Sequence, residues 1–148
     1  MIVTLTKTIS ELLPLLLLAD PSEFAIKKAL EKGEVLGFIE DDRLLGALVY
    51  VEELKEIEIT HLAVVEYAEN RHIASRLLTH LIDLAKTKHQ HTIVIKTGST
   101  SFKQLYLYQK YHFRMVEIVP DYFTTHYAEP IMENGLRLYD QIILKLEI

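Results

Sequence analysis

Cysteine is absent from the 148 residues. That removes a disulfide framework, thiolate metal sites, iron–sulfur clusters and cysteine nucleophiles together. Glycine is sparse, at five residues, and neither G-x-G-x-x-G nor G-K-[ST] occurs, which excludes a dinucleotide-binding fold and a nucleotide-phosphate P-loop. An excess of positive charge is missing as well: 16 Lys+Arg face 21 Asp+Glu, a net charge of −5. A nucleic-acid binder carries the reverse, a basic domain or stripe. The apolar run Leu12 to Ala19 falls far short of the ~20 residues that span a bilayer. Asp20-Pro21 follows it where a signal peptide would carry a small-residue cleavage site. His89-Gln90-His91 offers two imidazoles but no third ligand at a useful spacing, so it reads as a solvated turn and no metal is expected.

What is present is ordinary globular material. Hydrophobic residues make up 49% and charged residues 25%, enough apolar surface to build a core and to argue against general disorder. The length matches one domain, residues 1–148, with no repeat, low-complexity tract or linker. A cytoplasmic protein is expected, without membrane or nucleic-acid partners.

Periodicity orders the elements. A short strand at Ile2–Leu5 precedes a helix at Ile9–Ala19, where Pro14 is tolerated in the first turn or as a kink. Asp20 caps a second helix, with Pro21 at its first position and Glu23 completing a capping-box-like pattern. That helix ends at Gly33, read as a left-handed C-terminal residue. Strands follow at Glu34–Glu40, Arg43–Val51 and Lys55–Val65, with links short enough for antiparallel pairing. A long helix, about Arg71 to Lys88, places Ile73, Leu77, Leu78, Leu81, Ile82 and Ala85 on one face. After a strand at Thr92–Lys96, Ser101-Phe102-Lys103-Gln104 reads as a capping box opening a helix to about Tyr111. Strands at His112–Val119 and Leu138–Glu147 flank a long aromatic and acidic loop, Pro120–Arg137. The connection from Ile57 to Lys96 is long enough for a crossover between parallel strands, so the sheet is expected to be mixed. A phosphate-bearing ligand is expected at the turn between Val65 and the long helix, where unpaired N–H groups point outward.

This element order resembles the GCN5-related N-acetyltransferase (GNAT) superfamily. Leu62 to Leu78 lies without a gap on that family's strand, pyrophosphate loop and helix, and Thr97-Gly98 with Gln104 to Arg114 resembles its "LYxKxGF" stretch. The tail from Asp121 to Gly135 resembles a bacterial subgroup. The first fifty residues match only in element order. The resemblance implies an α/β (α+β) fold: a mixed, mostly antiparallel central sheet of about seven strands with about four helices on both faces. It also implies an acetyl-CoA-dependent N-acetyltransferase, acting on a primary amine of a small molecule or peptide by direct attack in a ternary complex. A non-catalytic acyl-CoA-binding or protein-interaction module of the same fold is the alternative. The family's habits also admit a homodimer.

The family's loop is an anion nest, usually Gln/Arg-x-x-Gly-x-Gly/Ala. Here the hexad is Glu69-Asn70-Arg71-His72-Ile73-Ala74. His72 stands where clearance is expected, and Glu69 brings negative charge near a diphosphate; Arg71 offsets that charge. By the resemblance, Glu69 to Ser75 hold the coenzyme, the main chain of Leu62, Ala63 and Val64 runs beside its pantetheine arm, and Ser99 replaces an asparagine that contacts it. Tyr108 occupies the position of the general acid; a phenol with an ordinary pKa near 10 stays protonated at neutral pH, although an amphipathic core tyrosine reads the same way. Strand alternation puts Glu56, Glu58 and Thr60 on one face, which as a solvated face would leave Glu56 and Glu58 indistinguishable. By the resemblance, Glu58 stands where the family places an acidic group and is the candidate base. His61 is the rival, though a lone strand histidine is more often structural. The loop residues Tyr122, Phe123, His126, Tyr127, Glu129, Glu133 and Asn134 either wall an acceptor pocket, where the acids favour a cationic amine, or form a dimer contact.

Overall fold

The structure, a computed structural model, describes residues 1–148. It divides into two compact units, Met1–His91 and Thr92–Ile148. The first carries β1 (Ile2–Thr4), α1 (Leu12–Leu16), α2 (Glu23–Lys32), β2 (Glu34–Glu40), β3 (Arg43–Glu52), β4 (Glu56–Val64), a short 3₁₀ turn (Glu66–Ala68) and α3 (Ile73–Thr87). Its strands run in the order β1-β2-β3-β4, each antiparallel to its neighbour. The second carries β5 (Thr92–Gly98), α4 (Phe102–Lys110), β6 (Arg114–Val119), α5 (Tyr122–His126), β7 (Met132–Glu133), β8 (Leu136–Arg137) and β9 (Gln141–Glu147). In it β9 pairs antiparallel with both β5 and β6, while β7 and β8 form a separate hairpin. Seven sheet strands and five helices give the expected α/β (α+β) class, mostly antiparallel. No helix is long and apolar enough to cross a membrane.

In the first unit β3 is buried continuously from Leu44 to Tyr50, the pattern of a strand covered on both faces. A Cβ at Gly46 would lie 2.8 Å from Ile73 Cγ2, so that face receives α3, whose buried stripe is Ile73, Leu77, Leu78, Leu81 and Ala85. Ala47 and Val49 point the other way, into a cluster with Leu12, Leu15, Leu16, Ile26 and Ala29 of α1 and α2. On β4 Ile57, Ile59, His61 and Ala63 are buried; Glu56, Glu58 and Thr60 alternate against Ile57 and Ile59 as expected, and Ala63 joins the α1–α2 cluster.

Several expectations change at the element ends. α1 covers only Leu12–Leu16, with Pro14 in its first turn, where its missing N–H has no helical partner to lose. Leu18 N and Ala19 N then donate three residues back, to Leu15 O and Leu16 O, which tightens the chain out of the α-helix. Ser22, not Asp20, caps α2, accepting from Ala25 N at 3.1 Å. Gly33 is not left-handed: its φ of −110° and ψ of −177° are extended. Space is what fixes glycine there, since a Cβ would sit 2.4 Å from Tyr50 O. Ser101 caps α4 by position only, because its hydroxyl bonds elsewhere. The stretch read as a loop, Pro120–Arg137, contains α5 and the β7–β8 hairpin, so there is one helix more than the four expected. Asn134 and Gly135, at φ 54° and 77°, make the tight hairpin turn.

Replacing Gly33 with alanine forces a Cβ against backbone that cannot rotate away. Gly33→Ala is expected to cost about 2–3 kcal/mol in chemical denaturation; a loss under about 0.5 kcal/mol would show that β3 yields there.

Candidate active site

In the first unit the candidate coenzyme residues are contiguous. Leu62, Ala63 and Val64 end β4, and just before them the register with β3 shifts: Val49 faces His61 and Tyr50 faces Ile59, leaving Thr60 as the additional residue of a β-bulge. Thr60 Oγ1 donates to Val49 O at 3.3 Å, satisfying a carbonyl within the disrupted ladder.

From Val65 the chain crosses the 3₁₀ turn, then Glu69 (φ −62°, ψ 157°), and enters α3 through two left-handed residues, Asn70 at φ 64° and His72 at φ 60°. Asparagine tolerates that conformation well; His72 holds it where the family's pattern has glycine. His72 is the N-cap of α3, and its side chain makes no capping hydrogen bond. The first helical bond runs from Arg76 N to His72 O, so the N–H groups of Ile73, Ala74 and Ser75 have no acceptor within the helix. Three unpaired donors at the positive end of a 15-residue helix form the chemistry an anionic ligand requires. Arg71 does not turn to Glu69: its Nη2 donates to both carboxylate oxygens of Glu40, each at 2.8 Å.

Glu58 is half-buried on β4 opposite Val51, and the bulge at Thr60 puts it on the other face from Leu62, which pairs with Leu48. His61 is buried, with both ring nitrogens engaged. Nε2–H donates to Asp20 Oδ2 at 2.9 Å, and Nδ1 meets Thr60 Oγ1 at 3.0 Å. With neither nitrogen open to an amine, His61 ties β4 to the α1–α2 connection instead. Asp20 serves that tie from its other oxygen too, where Oδ1 accepts from Ser22 N at 3.0 Å. Nothing in the spacing signals this pair, because Asp20 fits a helix cap equally well.

In the second unit Tyr108 lies on α4, 5% exposed, with its ring 6.0 Å from that of Phe113. Burial pushes the phenol pKa well above its ordinary value, so the group holds its proton throughout the physiological range. Ser99 follows β5 in a half-buried turn, where its N–H donates to Asp140 O at 3.0 Å. The neighbouring Thr100 and Ser101 hydroxyls both donate to Glu133 Oε1, at 3.0 and 2.7 Å, and Asn134 Nδ2 donates to Thr100 O at 2.8 Å. Glu133 thus fastens the β7–β8 hairpin to the start of α4. On α5, Tyr122 stacks on His126 at 4.1 Å and Phe123 packs on Tyr127 at 5.6 Å.

The Acetyltransferase (GNAT) family model matches residues 5–113. This chain belongs to the GNAT family. One GNAT relative, the uncharacterized N-acetyltransferase YvbK of Bacillus subtilis (strain 168), is 38% identical over 143 residues, 96% of this chain and 92% of its own. A GNAT acetyltransferase from Elizabethkingia anophelis, solved with acetyl-CoA bound, is 38% identical with a TM-score of 0.95, over 100% of this chain and 97% of that one. A Bacillus subtilis acetyltransferase solved in complex with CoA is also 38% identical, with a TM-score of 0.93 over 99% and 97%. The GNAT fold and the acetyltransferase class are thereby established for this chain.

The buried tie between Asp20 and His61 has a measurable consequence. Asp20→Ala leaves the imidazole without its carboxylate and is expected to cost about 2–4 kcal/mol on denaturation. Asp20→Asn, which keeps the shape and a carbonyl acceptor, should lose less. Equal, small losses for both would mean that the pair contributes little to holding β4.

Proposed function

We propose that the chain is an acetyl-CoA-dependent N-acetyltransferase forming one catalytic domain over residues 1–148, acting in the cytoplasm on a primary amine of a small molecule or peptide. The observation that carries this reading is the start of α3, where the N–H groups of Ile73, Ala74 and Ser75 lack helical acceptors and the cap side chain leaves them uncovered. Residues 69–75 would hold the coenzyme diphosphate, Ser99 would add a hydroxyl contact, and the main chain of Leu62, Ala63 and Val64 would run beside the pantetheine arm. Relatives 38% identical to this chain were solved with acetyl-CoA or CoA bound, which supports the same co-substrate here.

The reaction needs few groups. The amine nitrogen attacks the thioester carbonyl carbon in a ternary complex, where orientation supplies much of the acceleration. The carbon–sulfur bond then breaks, and the thiolate takes a proton from the Tyr108 phenol. Glu58 receives the proton lost by the amine, directly or through water. Tyr108 enters the reaction protonated, as a donor must, and Glu58, half-buried on β4, receives a proton that solvent can then take.

Thiol release across a panel of small and peptide amines tests this chemistry. Tyr108→Phe keeps the packing with Phe113 and is expected to lower kcat by about 100-fold while KM for acetyl-CoA stays within about twofold. Turnover equal to the parent enzyme would remove Tyr108 from the mechanism.

A further inference from the structure

The loop that would receive the coenzyme phosphates already has an anion on its arginine. Arg71 Nη2 donates to both oxygens of Glu40, and the two side chains are about half exposed, at 48% and 41%. Glu40 ends β2 and opens an acidic turn, Glu40-Asp41-Asp42, in which both aspartates are left-handed, at φ 52° and 61°. The next cation along the loop, Arg76, is placed over the Phe38 ring at 4.7 Å. Arg71 is the cation within residues 69–75, and Glu40 neutralises part of its charge.

We infer that Glu40 is a built-in competitor for Arg71, which an incoming phosphate group of the coenzyme must displace, so that Glu40 sets how tightly this loop takes its ligand. The inference rests on the coenzyme reading of residues 69–75. A half-exposed ion pair is weak enough to be exchanged, whereas a buried one is not. Phosphate is the stronger draw for a guanidinium, because it brings more charge and more acceptor oxygens than a carboxylate. The contact also favours exchange: one nitrogen bridges both carboxylate oxygens, so Nε and Nη1 are not held by Glu40. A phosphate can engage those donors before Glu40 lets go. The design tunes affinity downward at a loop whose family pattern is otherwise made for tight anion binding, and it makes that affinity depend on salt through a pair of surface charges.

Calorimetric titration with coenzyme A decides the matter, using the parent chain, Glu40→Gln, Glu40→Ala, Arg71→Gln and the Glu40→Gln/Arg71→Gln double variant. Competition predicts that both Glu40 variants bind about three- to tenfold tighter at low salt. The gain should shrink toward nothing at about 1 M salt, where screening is nearly complete. In the Arg71→Gln background Glu40→Gln should change affinity less than about twofold, since the two effects act through one contact. Titration with 3′-dephospho-coenzyme A separates the sources of the phosphate. A gain that vanishes there assigns Arg71 to the 3′-phosphate, and one that persists assigns it to the diphosphate. Weaker binding by Glu40→Ala, or no change in either Glu40 variant beside a parent that binds well, overturns the competition and leaves the coenzyme reading standing. No binding by the parent and all variants overturns both.

Discussion

Strand β3 must be buried on both sides, and the first unit is arranged around that requirement. Seven consecutive residues without polar side chains other than the Tyr50 phenol, Leu44 to Tyr50, cannot rest against water. One face takes the apolar stripe of α3, and the other takes α1 and α2. Gly46 lets Ile73 approach, and Gly33 lets α2 end directly against Tyr50 O. The seating of Ile73 against β3 fixes where α3 begins. The start of α3, in turn, fixes where three unpaired N–H groups face outward. The core and the position of these donors are therefore consequences of one packing demand.

The elements with strong periodicity were legible in the sequence. The α3 stripe of Ile73, Leu77, Leu78, Leu81 and Ala85 is the one its spacing indicates, with Ile82 at the margin of the face. The β4 alternation is also as read. What misled was local polar chemistry with more than one use. Asp20, Ser101 and Gly33 each fit a helix-terminal role, yet Asp20 pairs with His61, 41 residues away, and Ser101 with Glu133, 32 residues away. A side chain that can cap can equally bond across the fold, and spacing alone does not distinguish the two. The Asn134-Gly135 dipeptide did carry a readable hairpin signal, hidden by the short strands on either side.

Among the candidate site residues, the loop's position is readable from spacing, whereas the partners of its charges are not. Residues 69–75 form the left-handed entry to α3 that an anion nest needs, even with His72 in the glycine position. Spacing shows Arg71 beside Glu69 in the loop but not its contact with Glu40, 31 residues earlier in the chain. Glu133, read as an acid of an acceptor wall, instead receives the Thr100 and Ser101 hydroxyls. Both contacts have the same physical root: ionised side chains find partners set by tertiary topology. His61 illustrates the converse, a titratable residue whose buried, doubly engaged ring takes it out of proton transfer.

The central claim is that the start of α3 in this GNAT chain is a working coenzyme site. Calorimetric titration of the purified protein with acetyl-CoA, beside free coenzyme A, tests it most directly. The account predicts saturable binding in the micromolar range for both. No heat at millimolar coenzyme would contradict it, and would leave the fold serving some other contact.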